Sequence, residues 1–305
     1  MTFSLTTRWN AGRHADGAAM IDEILDMGFG QVELGYDLRM DLVPGVEQRV
    51  KEGAVRIVSV HNFCPVPVGA PSPHPELFTL ASGDRRIRES AVHHTAKTAR
   101  FAAEVGARVV VAHAGNVEMT RFTSQLLALY EEGKQFTPLF DKTRLKLQIT
   151  REKKAKKQIE FLKESLDQLL PAIADTGVQL ALENLPSWEA IPTELEMEAL
   201  LQQYGPQRLR YWHDVGHAQV RENLGLINPE RWLERLGPWL AGMHIHDVVP
   251  PAGDHLMPPA GKVDFARLKR FAKGDVIRVI EPAPQVPKEQ VVGALAFLRQ
   301  AWDAP

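Results

Sequence analysis

The sequence predicts a (β/α)8 barrel. Short runs rich in Val, Ile and Leu recur eight times along the 305 residues, and amphipathic stretches long enough for helices separate them. One junction also repeats, as GPQRL, TGVQL and VGARV: a helix stops at glycine and a buried strand starts two or three residues later. No GxGxxG follows any run, which argues against a doubly wound open sheet. The whole chain, 1–305, is expected to form one domain, a length that such barrels reach as a single unit.

In chain order the strands are expected at 3–7 (FSLTT), 31–36 (QVELGY), 55–63 (VRIVSVHNF), 108–115 (RVVVAHAG), 178–184 (VQLALEN), 209–217 (LRYWHDVGH), 241–248 (AGMHIHDV) and 276–283 (VIRVIEPA). Helical patterns occupy 16–30, 84–107 and 159–178 among the intervening segments. The connection between strands four and five is unusually long and reads as a helical insertion.

Composition narrows the function classes. A formal charge of -2 offers no general attraction to nucleic acid or to an anionic membrane. The single cysteine, Cys64, excludes an internal disulfide and a thiolate metal cluster, so any metal must sit on His, Asp and Glu. The stretch MTFSLTTRWN lacks a basic segment followed by an apolar one, and no window reaches the apolar length of a membrane span. A cytoplasmic protein is expected.

The residues that close the strands point to chemistry. They are Glu33, His61, His113, Glu183, Asp214, the pair His244 and His246, and Glu281. In a barrel these positions converge on the C-terminal face, where such folds place their reactions. So many ionisable groups are costly to desolvate together unless paired or coordinated, and a divalent metal is the natural partner. His213 precedes Asp214, and alternation along the strand points it away from the mouth as a structural residue.

Four segments carry a resemblance: LALENL with Glu183, HDVGHA with Asp214 and His217, MHIHDV followed by DHLMPPAGKVDF, and VIEPAP with Glu281. The chain resembles the xylose isomerase-like TIM barrel superfamily of sugar isomerases and epimerases, which also holds the endonuclease IV-type apurinic nucleases. The resemblance implies one divalent cation, Mn, Co, Mg or Zn, on Glu183, Asp214, a His of the HIHD segment and Glu281. The family spacing His-x-x-Asp selects His244 with Asp247; His246 stays an alternative. Glu183 and Glu281 would be acid and base in proton abstraction beside a carbonyl, through a metal-stabilised enediolate, and His217 would meet substrate oxygens or a second metal. Glu33 would orient a ligating His or touch substrate.

The three-zinc nucleases of the superfamily imply a larger set of nine: His61, His113, Glu183, Asp214, His217, His244, Asp254, His255 and Glu281. Asp254 and His255 are adjacent, whereas the nucleases separate the corresponding pair by one residue, and adjacent side chains on an extended segment diverge. DHLMPPAGKVDF instead aligns with a loop that covers the site in sugar-phosphate isomerase-like members. The acidic balance also leans against DNA.

Other features fit more than one role. Residues 142–157 hold eight Lys or Arg against one Glu, read as the solvated face of a long helix or, less simply, as a lid offering Arg144 or Lys146 to an anionic substrate. The Pro-rich stretch 62–76 would wall the pocket with His74 as a loop residue, and Trp188 would stack on a sugar or anchor its loop. A metal-dependent isomerase or epimerase leads. It is followed by a keto-sugar or keto-inositol dehydratase or lyase with the same site, a multi-zinc phosphodiesterase, and a non-catalytic sugar sensor. The expected partner is a small carbohydrate, with neither nucleic acid nor membrane, and a homo-oligomer stays open.

Overall fold

Eight parallel strands close on themselves in a computed structural model that describes residues 1–303. They are β1 (Ser4–Thr6), β2 (Gln31–Leu34), β3 (Arg56–His61), β4 (Val109–Ala112), β5 (Gln179–Glu183), β6 (Leu209–Asp214), β7 (Leu240–Ile245) and, closing the barrel against β1, β10 (Ile277–Ile280). The remaining two strands, β8 (Asp247–Val249) and β9 (Gly253–Leu256), form an antiparallel hairpin after β7 that the apolar pattern does not announce. The outer layer is α1 (Gly17–Leu25), α2 (Val43–Lys51), α3 (Arg85–Glu104), α4 (Phe122–Glu131), α5 (Pro138–Ala172), α6 (Glu194–Tyr204), α7 (Val215–Asn223), α8 (Pro229–Leu236), α9 (Phe265–Leu268) and α10 (Lys288–Asp303). Among the described residues no helix is long and apolar enough to cross a membrane.

Helix starts follow local chemistry. Asp16 and Asp84 accept backbone N–H groups at the heads of α1 and α3, and Thr193 with Glu196 forms a capping box on α6. The expected insertion between strands four and five is α4 plus α5, the latter 35 residues and thus about 52 Å long. Phe140 and Leu147 of α5 pack with Phe122 and Leu126 of α4 and with Leu224 and Leu226 beyond α7. With Met119 and Trp188 packed against it, that cluster ties the segments after β4 and β5 to the one after α7.

Inside the barrel, Val109, Val111, Ala181, Trp212, Ala241 and Val279 make a small apolar core of their own. Trp212 fits only because Gly242 stands beside it: a Cβ there would lie 2.3 Å from the indole. Its ring meets His244 edge-on at 5.1 Å, so the indole floors the site above.

Candidate active site

Strand register brings the polar ends together. Asp214 pairs across the sheet with His244, Glu183 with Trp212, and Thr6 with Glu33, while Glu281 N–H donates to Ile245 O one step beyond β10. Glu33, His61, Glu183, Asp214, His244, His246 and Glu281 are all buried, and His113 and His255 are slightly more open.

His244 stands at the centre. Its Nε2 faces Glu33 Oε1 at 3.0 Å, and Ser59 Oγ donates to the other Glu33 oxygen at 2.7 Å. Its Nδ1 lies 3.2 Å from Glu183 Oε1, 3.3 Å from Glu281 Oε2 and 3.8 Å from Asp214 Oδ2. The network therefore assigns Nε2–H to Glu33 and turns Nδ1 to three carboxylates. This is the carboxylate–histidine arrangement that orients a metal-ligating imidazole.

His246 is differently committed. Its Nδ1 accepts the His255 backbone N–H at 2.9 Å, which leaves the ring proton on Nε2, 3.1 Å from Asp214 Oδ2. Neither nitrogen of His246 keeps a lone pair for an ion. Between the two histidines that the sequence leaves open, the geometry favours His244.

Two further clusters flank this centre. His61 Nε2 and His113 Nε2 both lie 3.2 Å from Glu183 Oε2, with His61 Nδ1 held by Asn62 O and His113 Nδ1 without a partner. On the other side, His217, His246 and His255 bring ring nitrogens within 4.8 Å of one another. Asp254 is outside that group, but it contacts His255 Nδ1 at 3.1 Å because His255 adopts a positive φ of 54°. The divergence expected of adjacent side chains is undone by this single left-handed residue.

Asp214 also caps α7, accepting His217 N–H at 2.6 Å. His217 Nδ1 donates to Asn184 O at 3.0 Å, which frees its Nε2. Gly216 allows the close approach: a Cβ there would sit 2.0 Å from His246 Cε1.

Electrostatics follow from crowding. Burial opposes every charge here, yet the imidazoles hold Glu183 well below the usual carboxylate range, and His244, His255 and Arg8 hold Glu281 at about 2. In return, burial notwithstanding, Glu281, Glu33 and Glu183 raise His244 well above an ordinary histidine, and Asp214 with Glu183 raises His217 to about 9. On the far face of β6, burial pulls His213 down to about 4.

A family model described as xylose isomerase-like TIM barrel matches residues 21–301. The chain belongs to the xylose isomerase-like TIM barrel family. A curated relative, an uncharacterized protein of Methanocaldococcus jannaschii, is 28% identical over 126 residues, 41% of this chain; the match spans 47% of that protein's own length, about half. Among solved structures, the 3-keto-D-glucoside 4-epimerase of E. coli superposes with a TM-score of 0.68 at 17% identity, covering 98% of this chain and 99% of the other. An L-ribulose 3-epimerase gives 0.69 at 13% over 99% and 95%. The D-psicose 3-epimerase of Clostridium cellulolyticum H10 gives 0.66 at 11% over 99% of both chains. At these identities the likeness is one of fold.

Within this xylose isomerase-like barrel, several residues stand apart from the centre. Asp247 does not join it; its carboxylate accepts Val248, Gly261 and Val263 N–H groups and so shapes the loop after β7. Trp188 anchors its loop: its N–H donates to Thr123 Oγ1, its carbonyl accepts from Arg151, and its ring lies 5.4 Å from the Arg221 guanidinium. The basic run lies along α5. Arg144 reaches Asp141 and Gly225 O, Lys146 covers the Phe122 ring, and Arg151 is buried on Glu196 and the carbonyls of Trp188 and Ala190. His74 is an exposed loop residue that accepts Glu76 N–H.

Strand β1 supplies what sequence reasoning passed over. Arg8, just beyond it, places Nη1 3.6 Å from Glu281 Oε1 and donates Nε–H to Tyr36 O–H at 2.7 Å. The Tyr36 ring meets His61 edge-on at 5.2 Å. Beside them burial pushes Asp37 up to about 6. The one signal was the arginine in TTRWN, closing the only strand without a polar residue assigned to its end.

Proposed function

We propose that the chain is a divalent-metal-dependent sugar isomerase or epimerase that moves a proton at the carbon beside a carbonyl. The observation that carries this is the convergence of Glu183, Asp214 and Glu281 on His244 Nδ1 at 3.2 to 3.8 Å. Three buried carboxylates around one imidazole leave an excess of negative charge that a cation would neutralise. The donor set suits Mn, Co, Mg or Zn, and Glu183, Asp214, His244 and Glu281 would hold it. When bound, such an ion stabilises negative charge developing on a carbonyl oxygen.

Glu183 and Glu281 close strands on different sides of the mouth, and each turns one oxygen to the centre. The other oxygens face His61 with His113 and Arg8 respectively. On this reading one carboxylate removes the substrate proton and the other returns one from the opposite face. His217 Nε2, freed by the Nδ1 bond to Asn184, meets a substrate hydroxyl. Trp212 keeps water from entering beneath. The three solved structures described above are carbohydrate epimerases by name, which supports a carbohydrate carrying a carbonyl.

A second reading, a multi-zinc phosphodiesterase, draws on the flanking cluster His61–His113–Glu183 and on His217 with His255, whose ring nitrogens lie within 4.8 Å of one another. One panel separates the readings: Mn- or Co-loaded protein against ketoses, keto-inositols and 3-keto-glycosides, and zinc-loaded protein against an abasic-site duplex. Stereochemical change in a carbohydrate is expected. Loss of water from it would instead make the protein a lyase with the same site, and strand scission alone would favour the nuclease.

A further inference from the structure

One side of the barrel mouth holds polar groups that proton transfer leaves unused. It lies beyond β1 and β2, which pair through Thr6 and Glu33 and whose following turns are tied by the Gly35 N–H bond to Thr7 Oγ1 at 2.8 Å. A Cβ on Gly35 would stand 2.8 Å from Asp37 Oδ1 and 2.9 Å from Arg8 N, so glycine is what lets Asp37 lie against Arg8. Tyr36 joins them by accepting Arg8 Nε–H at 2.7 Å. The Tyr36 ring reaches His61 and the Arg8 guanidinium reaches Glu281, so the three side chains border the centre.

These groups are short of partners. Arg8 Nη1 stands 3.6 Å from Glu281 Oε1, beyond hydrogen-bond reach, and Asp37 Oδ1 accepts nothing. The Tyr36 oxygen takes the Arg8 proton and keeps its own to give; neither that proton nor Arg8 Nη2 has a partner among the described residues. The wall is open to a ligand, since the Arg8 side chain is 21% exposed and Tyr36 and Asp37 are half-buried. Donors and acceptors left unpaired beside a reaction centre gain their partners from what binds there.

A sugar hydroxyl both donates and accepts. Arg8 and Tyr36 offer N–H and O–H donors and Asp37 an acceptor, which together match a pair of neighbouring hydroxyls. An anion fits less well. Among the described residues Arg8 is the only Lys or Arg paired with a carboxylate of the centre, and Glu281 and Asp37 already offset its charge, so a phosphate dianion would meet more negative charge than positive.

We propose that Arg8, Tyr36 and Asp37 form the specificity-determining subsite of the mouth, which takes neighbouring hydroxyls of an uncharged carbohydrate and excludes its phosphate ester. This rests on the reading of the mouth as a carbohydrate site and adds which class of carbohydrate enters it.

The test is calorimetric titration of the Mn²⁺-loaded full chain with D-fructose, D-tagatose and D-psicose and with the 6-phosphate of each. At least one free ketose is expected to bind, and its 6-phosphate to bind roughly 10-fold more weakly. Tyr36→Phe and Asp37→Asn, which keep the shape of the wall, are each expected to weaken the free ketose by roughly 10-fold. A 6-phosphate bound as tightly as the free ketose, or a free ketose bound equally by wild type and either variant, overturns the subsite and leaves the carbohydrate reading standing. Loss of Mn²⁺ from either variant also overturns it, by making that residue a support of the metal centre. A chain that binds no ketose in either form overturns both.

Discussion

Glu33 Oε1 and His244 Nε2 lie 3.0 Å apart with both side chains fully buried, and this contact determines which face His244 turns to the carboxylates. Glu33 sits on β2 and His244 on β7, so the bond spans the barrel. Replacing Glu33 with Gln keeps the shape and removes the charge that orients the imidazole. Calorimetric titration of chelator-treated protein with Mn²⁺ or Co²⁺ is expected to show roughly 10- to 100-fold weaker binding in Glu33→Gln. Unchanged affinity would leave Glu33 with no hold on the site.

The two histidines of the HIHD segment give opposite expectations. His244→Asn should lose the ion outright. His246→Asn should retain it, since both His246 nitrogens are committed to His255 N–H and Asp214. The same titration decides, and loss of binding in His246→Asn alone would transfer the ligand role.

His217 makes the metal-free protein sensitive to alkali. Its pKa is raised from 6.5 to about 9, burial notwithstanding, by Asp214 and Glu183. The stabilisation is therefore full below pH 6.5 and is lost as pH rises through 9, about 3 kcal/mol in all. Urea midpoints at pH 6.5 and 9.5 should fall more steeply in wild type than in His217→Asn. Equal slopes would contradict the coupling.

Gly216→Ala places a methyl 2.0 Å from His246 Cε1. The ring is stacked on His255 at 4.2 Å and bonded at both nitrogens, so it has nowhere to move. A loss of about 1 to 3 kcal/mol is expected from denaturant unfolding. A variant as stable as wild type would show that His246 yields freely.

Arg8 acts on Glu281 across 3.6 Å, adding to His244 and His255 in holding the carboxylate down. In Arg8→Met that help is gone and the Glu281 pKa rises. The acid limb of kcat/KM should move to higher pH by roughly one unit. A pH profile that superposes on wild type would separate Arg8 from the proton-transfer step.

Much of this was legible because barrel strands announce themselves as apolar runs and the polar residue that ends each run lands in one place. Glu183, Asp214, His244 and Glu281 were readable on that ground. The family spacing selected His244 and kept His246 as an alternative without a physical ground, because residues two apart on a strand share a face and only the partners of each ring nitrogen distinguish them. Asp247 fits a ligand spacing but serves backbone N–H groups, a role that spacing cannot encode. The β8–β9 hairpin escaped because it is short and polar, and the contact of His255 with Asp254 depends on one positive φ. Arg8 was missed for a similar reason, since β1 is three residues long and its polar closure lies on the turn beyond.

The central claim is that Glu183 and Glu281 exchange the substrate proton with solvent. Reaction of the metal-loaded protein in D₂O with the carbohydrate it turns over, followed by NMR, tests this directly. Wild type should place solvent deuterium at the carbon beside the carbonyl, and Glu183→Gln and Glu281→Gln should not. Product free of deuterium, or exchange undiminished in both variants, would contradict it.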